Sequence, residues 1–266
     1  MKKIVLLGLF LLLTFIVIVI VKMPASFVLS HAAKQSNMFY LDTIQGSLWQ
    51  GSAKNVQVKL PAGTLGRRAT VLQLGSVNWS LSFWQLLMAN AAIQLKTKHV
   101  NQSLETTMDI SLLSESVKVG ETWLKIDLPF ATTFYPVPAK IKGEAEVNLQ
   151  SLFVELADNP PIMSNLVGQV LVSQLEIAVT APVELGDFGV NISSDDEGVI
   201  TALLSDVNAT VGVSGKGTFD QATKAYTANG EVTPTAKTNN MVTQALRFIA
   251  TPQSNGSFVI NQSGSL

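Results

Sequence analysis

Few residues in this chain are of a type that does chemistry. Its 266 residues include two histidines and no cysteine, which excludes a disulfide framework, thiolate catalysis and any Cys-ligated zinc or iron–sulfur site. His31 and His99 have no Asp or Glu at a metal-ligand spacing, so both are expected as solvated surface side chains. The acidic run Asp195-Asp196-Glu197-Gly198 offers the oxygen ligands calcium takes. It lacks the alternate-position spacing and distant Glu of an EF-hand, and reads as a solvated hairpin turn. Glu144 and Glu146 are the kind of carboxylates glycoside hydrolysis uses, a pairing set by three-dimensional distance. On the polar face of a strand they need no such role. Gly212-Val213-Ser214-Gly215-Lys216-Gly217 is rich in glycine but lacks P-loop spacing, and reads as a bent or bulged strand. No Gly-x-Ser-x-Gly elbow occurs. The expectation is a protein that is not an enzyme and holds no metal or cofactor.

The elements that would position any site are mostly strands. Apolar and polar residues alternate with a period of two, the mark of a strand buried on one face. Val56, Val58 and Leu60 do so, as do Ile93 and Leu95, then Leu124, Ile126 and Leu128, then Ala145, Val147 and Leu149. Leu175, Ile177 and Val179 continue the pattern, and Val207, Ala209, Val211 and Val213 read as one further strand. Turn signals separate them at Pro136 and Pro138, Pro160-Pro161, Asp195–Gly198, Asn229-Gly230 and Asn255-Gly256. Residues 82–90 are too evenly apolar for a half-buried strand and suit a helical turn or buried corner. A short helix interrupted by Pro160-Pro161 is expected in 151–168, and a better one in 239–250, where Met241, Ala245, Leu246 and Ile249 fall near a 3.6 period before Pro252. A last strand follows around 257–261. The fold class is therefore mainly β, a single mostly antiparallel sheet domain, curved or folded, with one or two short helices. Its greasy face needs a second layer, curling or a ligand to cover it.

Composition agrees. Hydrophobic residues make up 47% and charged ones 14%, against roughly 25% charged in a typical soluble domain. Lys+Arg 18 against Asp+Glu 19 leaves a net charge of -1, and no basic patch invites nucleic acid. Lys2 and Lys3 precede an apolar run from 4 to 21, broken only by Gly8 and Thr14, and Lys22 closes it. At about 1.5 Å per residue the run reaches about 27 Å, close to the thickness of a bilayer's hydrocarbon. It is longer than the core of a cleaved signal peptide, and no small-x-small site follows it well. A retained anchor is expected, with the N-terminus in the cytoplasm and the bulk of the chain outside. The domains are then 1–22, cytoplasmic tip and transmembrane anchor; 23–43, a stalk leading into the fold; and 44–266, the β-rich domain. Six Asn-x-Ser/Thr triplets occur, several inside expected strands, and read as chance products of composition.

Two stretches stand out, Gly46-Ser47-Leu48-Trp49-Gln50-Gly51 and Gly75-Ser76-Val77-Asn78-Trp79. A Gly allows a sharp turn or bulge, and the Trp soon after it can cover the resulting sheet end. With the anchor, they and the segment from Trp79 through Leu86 and Leu87 to Asn90 resemble protein N of the bacterial type II secretion system. The family's turn is Gly-Thr-Leu-Trp-x-Gly-like, and its next segment Trp-x-Leu/Val-x-Pro-x-x-Leu-Leu-x-Gly-like. Here Ser47 replaces the usual Thr, Phe83 or Trp84 stands near the usual Pro, and Asn90 near the usual Gly. The C-terminal Leu246 to Pro252, Asn255-Gly256 to Ile260 and Gly264-Ser265-Leu266 resemble the family's closing pattern, with Ala250 where Gly is frequent. The resemblance marks Gly46, Leu48, Trp49, Gly51, Gly75, Trp79, Leu86, Leu87, Pro252, Gly256 and Gly264 as motif residues of structural role.

It implies a bitopic inner-membrane protein with a periplasmic β domain, a non-catalytic accessory of the machine that exports folded proteins across the outer membrane. Its partners would be inner-membrane components of that system and, more remotely, the outer-membrane secretin. The family is also similar to AsmA-like periplasmic proteins, which implies an alternative: lipid handling or envelope maintenance, with acyl chains on the apolar face.

Overall fold

Stretches that alternate become antiparallel strands, because the period of two puts every second side chain on the same face. The computed structural model describes residues 11, 14–15, 18–36, 38–60, 70–132, 139–157, 161–178 and 181–265. They fall into two compact units, Met1–Val100 and Asn101–Leu266. The protein is mainly β and antiparallel with a few short helices, as its patterning predicts.

In the first unit, α1 (Ala25–Ser36) leads to β1 (Phe39–Gly46), β2 (Gln50–Leu60), β3 (Thr70–Leu81), α2 (Phe83–Leu87) and β4 (Asn90–His99). Each strand pairs antiparallel with the next. Buried Ala53, Val56 and Val77 form its core, with Leu41, Ile44, Leu74, Trp79 and Leu95 packed around them. The segment expected as a stalk, 23–43, holds α1 and most of β1. It is fastened by a bridge between Pro24 and Ser47 and by the Leu48 amide donating to the Met23 carbonyl at 3.0 Å, so Ala25 is fully buried. Much of the apolar run 4–21 lies outside the described residues. Leu11, Thr14, Phe15 and residues 18–21 are helical. Among the described residues no helix is long and apolar enough to cross a membrane.

The second unit comprises β5 (Gln102–Ser111), β6 (Ser116–Asp127), α3 (Leu128–Ala131), β7 (Lys140–Glu155), β8 (Ile162–Ala178), β9 (Pro182–Ser194), β10 (Val199–Ala209), β11 (Val211–Asp220), β12 (Ala225–Pro234), α4 (Asn240–Ile249), β13 (Thr251–Pro252) and β14 (Phe258–Ser265). Neighbours follow chain order from β5 to β12; β14 then returns to lie between β12 and β13. The expected helix at 239–250 forms. Asn239 caps it by accepting from the Met241 amide at 2.9 Å, satisfying one of the amides a helix start leaves free. Its Leu246 is buried with Phe188, Val211, Val232 and Phe258.

Register carries an apolar row across this unit. Leu104 faces Leu124, then Val147, Val170, Val190 and Leu204 in turn, before Gly215, Gly230 and Ile260. Glycine at two successive positions leaves a shallow apolar trough there, lined by Leu204, Val213 and Ile260.

Several expectations are corrected. Residues 151–168 hold no helix among those described; they end β7 and begin β8, which pair from Phe153↔Ser164 to Glu155↔Ile162. Asn229-Gly230 is no turn but mid-strand in β12, with both residues paired on each side. The alternation from Val207 to Val213 is two strands meeting at Thr210, whose amide donates to the Leu185 carbonyl at 2.8 Å and whose carbonyl accepts from the hydroxyls of Thr235 and Thr238. Leu128 begins α3 rather than extending β6. The turn signals at Pro136 and Pro138, with Pro160 and Val179, lie outside the described residues.

Candidate functional site

The residues that the resemblance singles out near the N-terminus build one corner of the first unit. Gly46 and Gly51 pair at the end of the β1–β2 hairpin and enclose the loop of Ser47, Leu48, Trp49 and Gln50. Gly46 has φ +88, and a Cβ there would lie 2.5 Å from the Gln50 carbonyl oxygen. The loop aims its two aromatic neighbours differently. Trp79, on β3, lies across Gly51, where an added Cβ would meet its ring at 2.5 Å, and its Nε1 donates to the Leu48 carbonyl at 3.1 Å. Trp49 turns the other way: its Nε1 donates to the Ile20 carbonyl at 2.9 Å. The same carbonyl accepts from the Met23 amide at 3.2 Å, so the indole is a second donor at a helix end, where carbonyls run out of partners within the helix. Both Trp residues are half-buried, and Trp79 packs against the buried Ala53, Val56 and Val77.

Beyond Trp49 comes α2. Ser82 caps it, and Phe83 meets Trp49 edge-to-face at 4.8 Å between ring centres. The expected helical turn is present, but it is not a buried corner: Trp84 is 73% exposed, Leu87 66% and Met88 73%, while Leu86 is half-buried. The helix closes on Ala89, at φ +60. A left-handed residue just past a helix end is the place where glycine is commonest.

Behind the corner, α1 roofs an apolar groove of about 350 Å³ on one face of β1 to β4, lined by Leu29, Ala33, Leu41, Leu48, Val77, Trp79 and Leu95 among others. The sequence reading missed α1 as its roof. The signal was present in Ala25, Leu29 and Ala33, spaced by four along one helix face. The other motif residues stand apart. Gly75 (φ +70) lies four residues along β3 from Trp79, at a bulge where it and Ser76 both oppose Lys98. In the second unit, Pro252 pairs with Phe258, Gly256 (φ +85) forms the turn before β14, and Gly264 lies against Tyr226, whose hydroxyl oxygen would be 2.9 Å and whose ring 3.0 Å from an added Cβ.

The chemistry-bearing residues do not converge. Glu144 pairs with Lys125 at 2.5 Å, and this hydrogen bond, ahead of the nearby Glu146 and Asp127 charges, raises the Lys125 pKa. Glu146 lies 3.8 Å from the same ammonium. Asp195 accepts from the amides of Glu197 and Val199 in the expected turn. His31 is exposed on α1, whereas His99 is not the solvated side chain expected: it is half-buried, and its Nδ1 is buried without a hydrogen-bond partner. Among the described residues no group of three or more His, Asp or Glu could hold a metal ion.

The described residues form antiparallel meanders, with a tryptophan corner and an apolar groove in the first unit. Residues 39–261 match the family described as type II secretion system (T2SS), protein N. The chain belongs to that family and is thereby a component of type II secretion. It is also similar to the type II secretion system protein N of Aeromonas hydrophila, with 22% identity over 272 residues covering the whole of both chains. No solved structure matches.

Proposed function

We propose that this protein is a non-catalytic accessory of type II secretion, held in the inner membrane by residues 4–21, with residues 44–266 in the periplasm. The family match over 39–261 carries the reading. The apolar run and its flanking lysines support the anchor and its direction. Its partners are other inner-membrane components of the system and, at longer reach, the outer-membrane secretin. A second reading, the holding of lipid, is favoured by one observation: the groove under α1, lined by apolar side chains and sized for part of an acyl chain.

In-cell photo-crosslinking separates the two, with the reactive group scanned along 40–60, 70–100 and 140–178. Adducts to secretion components from the corner and the sheet edges are expected for the accessory role. Adducts to phospholipid alone, from groove positions such as Leu41 and Leu95, would replace it with the lipid-holding role.

A further inference from the structure

We propose that α2 is a second membrane contact: the corner formed by Trp84, Leu87 and Met88 lies in the lipid surface beside the point where the anchor emerges. This rests on the anchor reading of residues 4–21. Three observations carry it. First, the corner is joined to the end of the apolar run by an unbroken chain of rings. Trp49 holds the Ile20 carbonyl at 2.9 Å, Phe83 meets Trp49 at 4.8 Å, and Trp84 meets Phe83 at 5.5 Å. The Leu48–Met23 backbone bond at 3.0 Å and the Pro24–Ser47 bridge fix the hairpin to the same point. Ile20 is the second residue before Lys22, the charge that ends the run, so its carbonyl marks the boundary between hydrocarbon and headgroups.

Second, the side chains that α2 presents are large, apolar and between 66% and 73% exposed, in a helix with no acidic residue in its first turn and no basic one in its last. Phe27, 71% exposed at the start of α1, adds a fourth just past the same point. Left in water this surface is costly; at an interface it is stabilised, and Trp prefers the headgroup level, where its ring is buried and its N–H stays wet. Third, the corner is rigid where it must be. Ser82 caps α2, and the Ser82 amide donates to the Ala92 carbonyl at 3.0 Å, so the three side chains are presented from a braced turn. The consequence is orientation. A single anchor lets a domain swivel; a second contact beside it sets which face of the first unit looks along the membrane.

The test uses the full chain in phosphatidylethanolamine–phosphatidylglycerol vesicles. Having no cysteine, the protein takes a single spin label at each of Trp84→Cys, Leu87→Cys, Met88→Cys, Phe15→Cys and Val100→Cys. Val100 is 90% exposed and about 30 Å along β4 from the corner at about 3.3 Å per residue. Collision with oxygen, which enters lipid, is compared with collision with a nickel chelate, which stays in water. The expected result is an oxygen-to-nickel ratio at 84, 87 and 88 several-fold above that at Val100 and approaching that at Phe15. A bilayer signal at Phe15 with water-like ratios at 84, 87 and 88 would overturn the docking and leave the anchor standing. A water-like ratio at Phe15 would overturn both. Low collision with either agent at the corner would mean that protein covers it, a second copy included, and would also overturn the proposal.

Discussion

Gly75 and Ala89 both lie in the left-handed region of backbone space, and only one of them is suited to it. At Gly75 (φ +70) a Cβ would stand 2.3 Å from the Lys98 carbonyl oxygen, in the bulge that bends β3 over β4. Gly75→Ala is expected to cost about 2 kcal/mol or more, from strain and clash together. Ala89 (φ +60) already bears the cost of a Cβ in that region where it ends α2. Ala89→Gly is expected to gain about 1 kcal/mol, the relief of left-handed strain less the extra freedom of an unfolded glycine. Opposite shifts of the urea midpoint at unchanged slope would bear this out; a loss of stability on Ala89→Gly would show that the strain is not there to relieve. Residues governed by such local rules were legible in the sequence. Gly46 and Gly75 announce a turn and a bulge within a few positions of chain. His99 was not, because its half-burial comes from tertiary pairing: β3 and its bulge at Gly75 pack against it.

At the scale of elements, the β11–β12 turn shows how a short polar motif fixes a hairpin. Asp220 accepts from the Thr223 hydroxyl at 2.7 Å and from the Ala222 and Thr223 amides at 2.9 and 3.2 Å. These bonds, the Thr223 hydroxyl first, favour the charged form and lower its pKa below the ordinary 3.8. A carboxylate whose folded pKa is depressed adds stability above its unfolded value and loses it as the pH falls through the folded one. Below 3.8 the hairpin should therefore weaken, and Asp220→Asn should remove that part of the acid dependence while lowering stability near neutral pH. Urea midpoints of both proteins from pH 7 down to pH 3 check this. Curves that stay parallel throughout would show that Asp220 is not the group titrating. Strand existence was legible because the period of two is local. Strand ends were not: the parity of Val207, Ala209, Val211 and Val213 runs unchanged through the turn at Thr210, so nothing in the pattern marks it. Asn229-Gly230 misleads in the opposite way, since a turn dipeptide remains extended when strands on both sides pair with it.

For the whole molecule, patterning specified a sheet with one greasy face but left open what covers that face, a second layer, curling or a ligand. The choice depends on which strands neighbour which, and register is set by partners distant in sequence. In the first unit, α1 lies over part of the face and leaves the groove. In the second, α4 covers Phe188, Val211, Val232 and Phe258, while Leu204, in the apolar row running toward β5, is 37% exposed. Phe188 and Leu204 are therefore informative together. Phe188 is two residues from Val190, the pairing partner of Leu204, so both side chains lie on one face of the same sheet. A face covered evenly would make their truncation comparably costly. A face covered only near α4 separates them: Phe188→Ala should lose about 3–4 kcal/mol, as for a buried aromatic, and Leu204→Ala about 1 kcal/mol, in proportion to the apolar area it still shields. Urea unfolding of the purified full chain measures both. If Leu204→Ala were as damaging as Phe188→Ala, the row would have a cover of its own, and the apolar trough beside Gly215 and Gly230 would be filled core. If it is mild, that trough is open surface, free for a partner or an acyl chain, and Leu204→Ala becomes a variant that disturbs such contacts without unfolding the sheet that presents them.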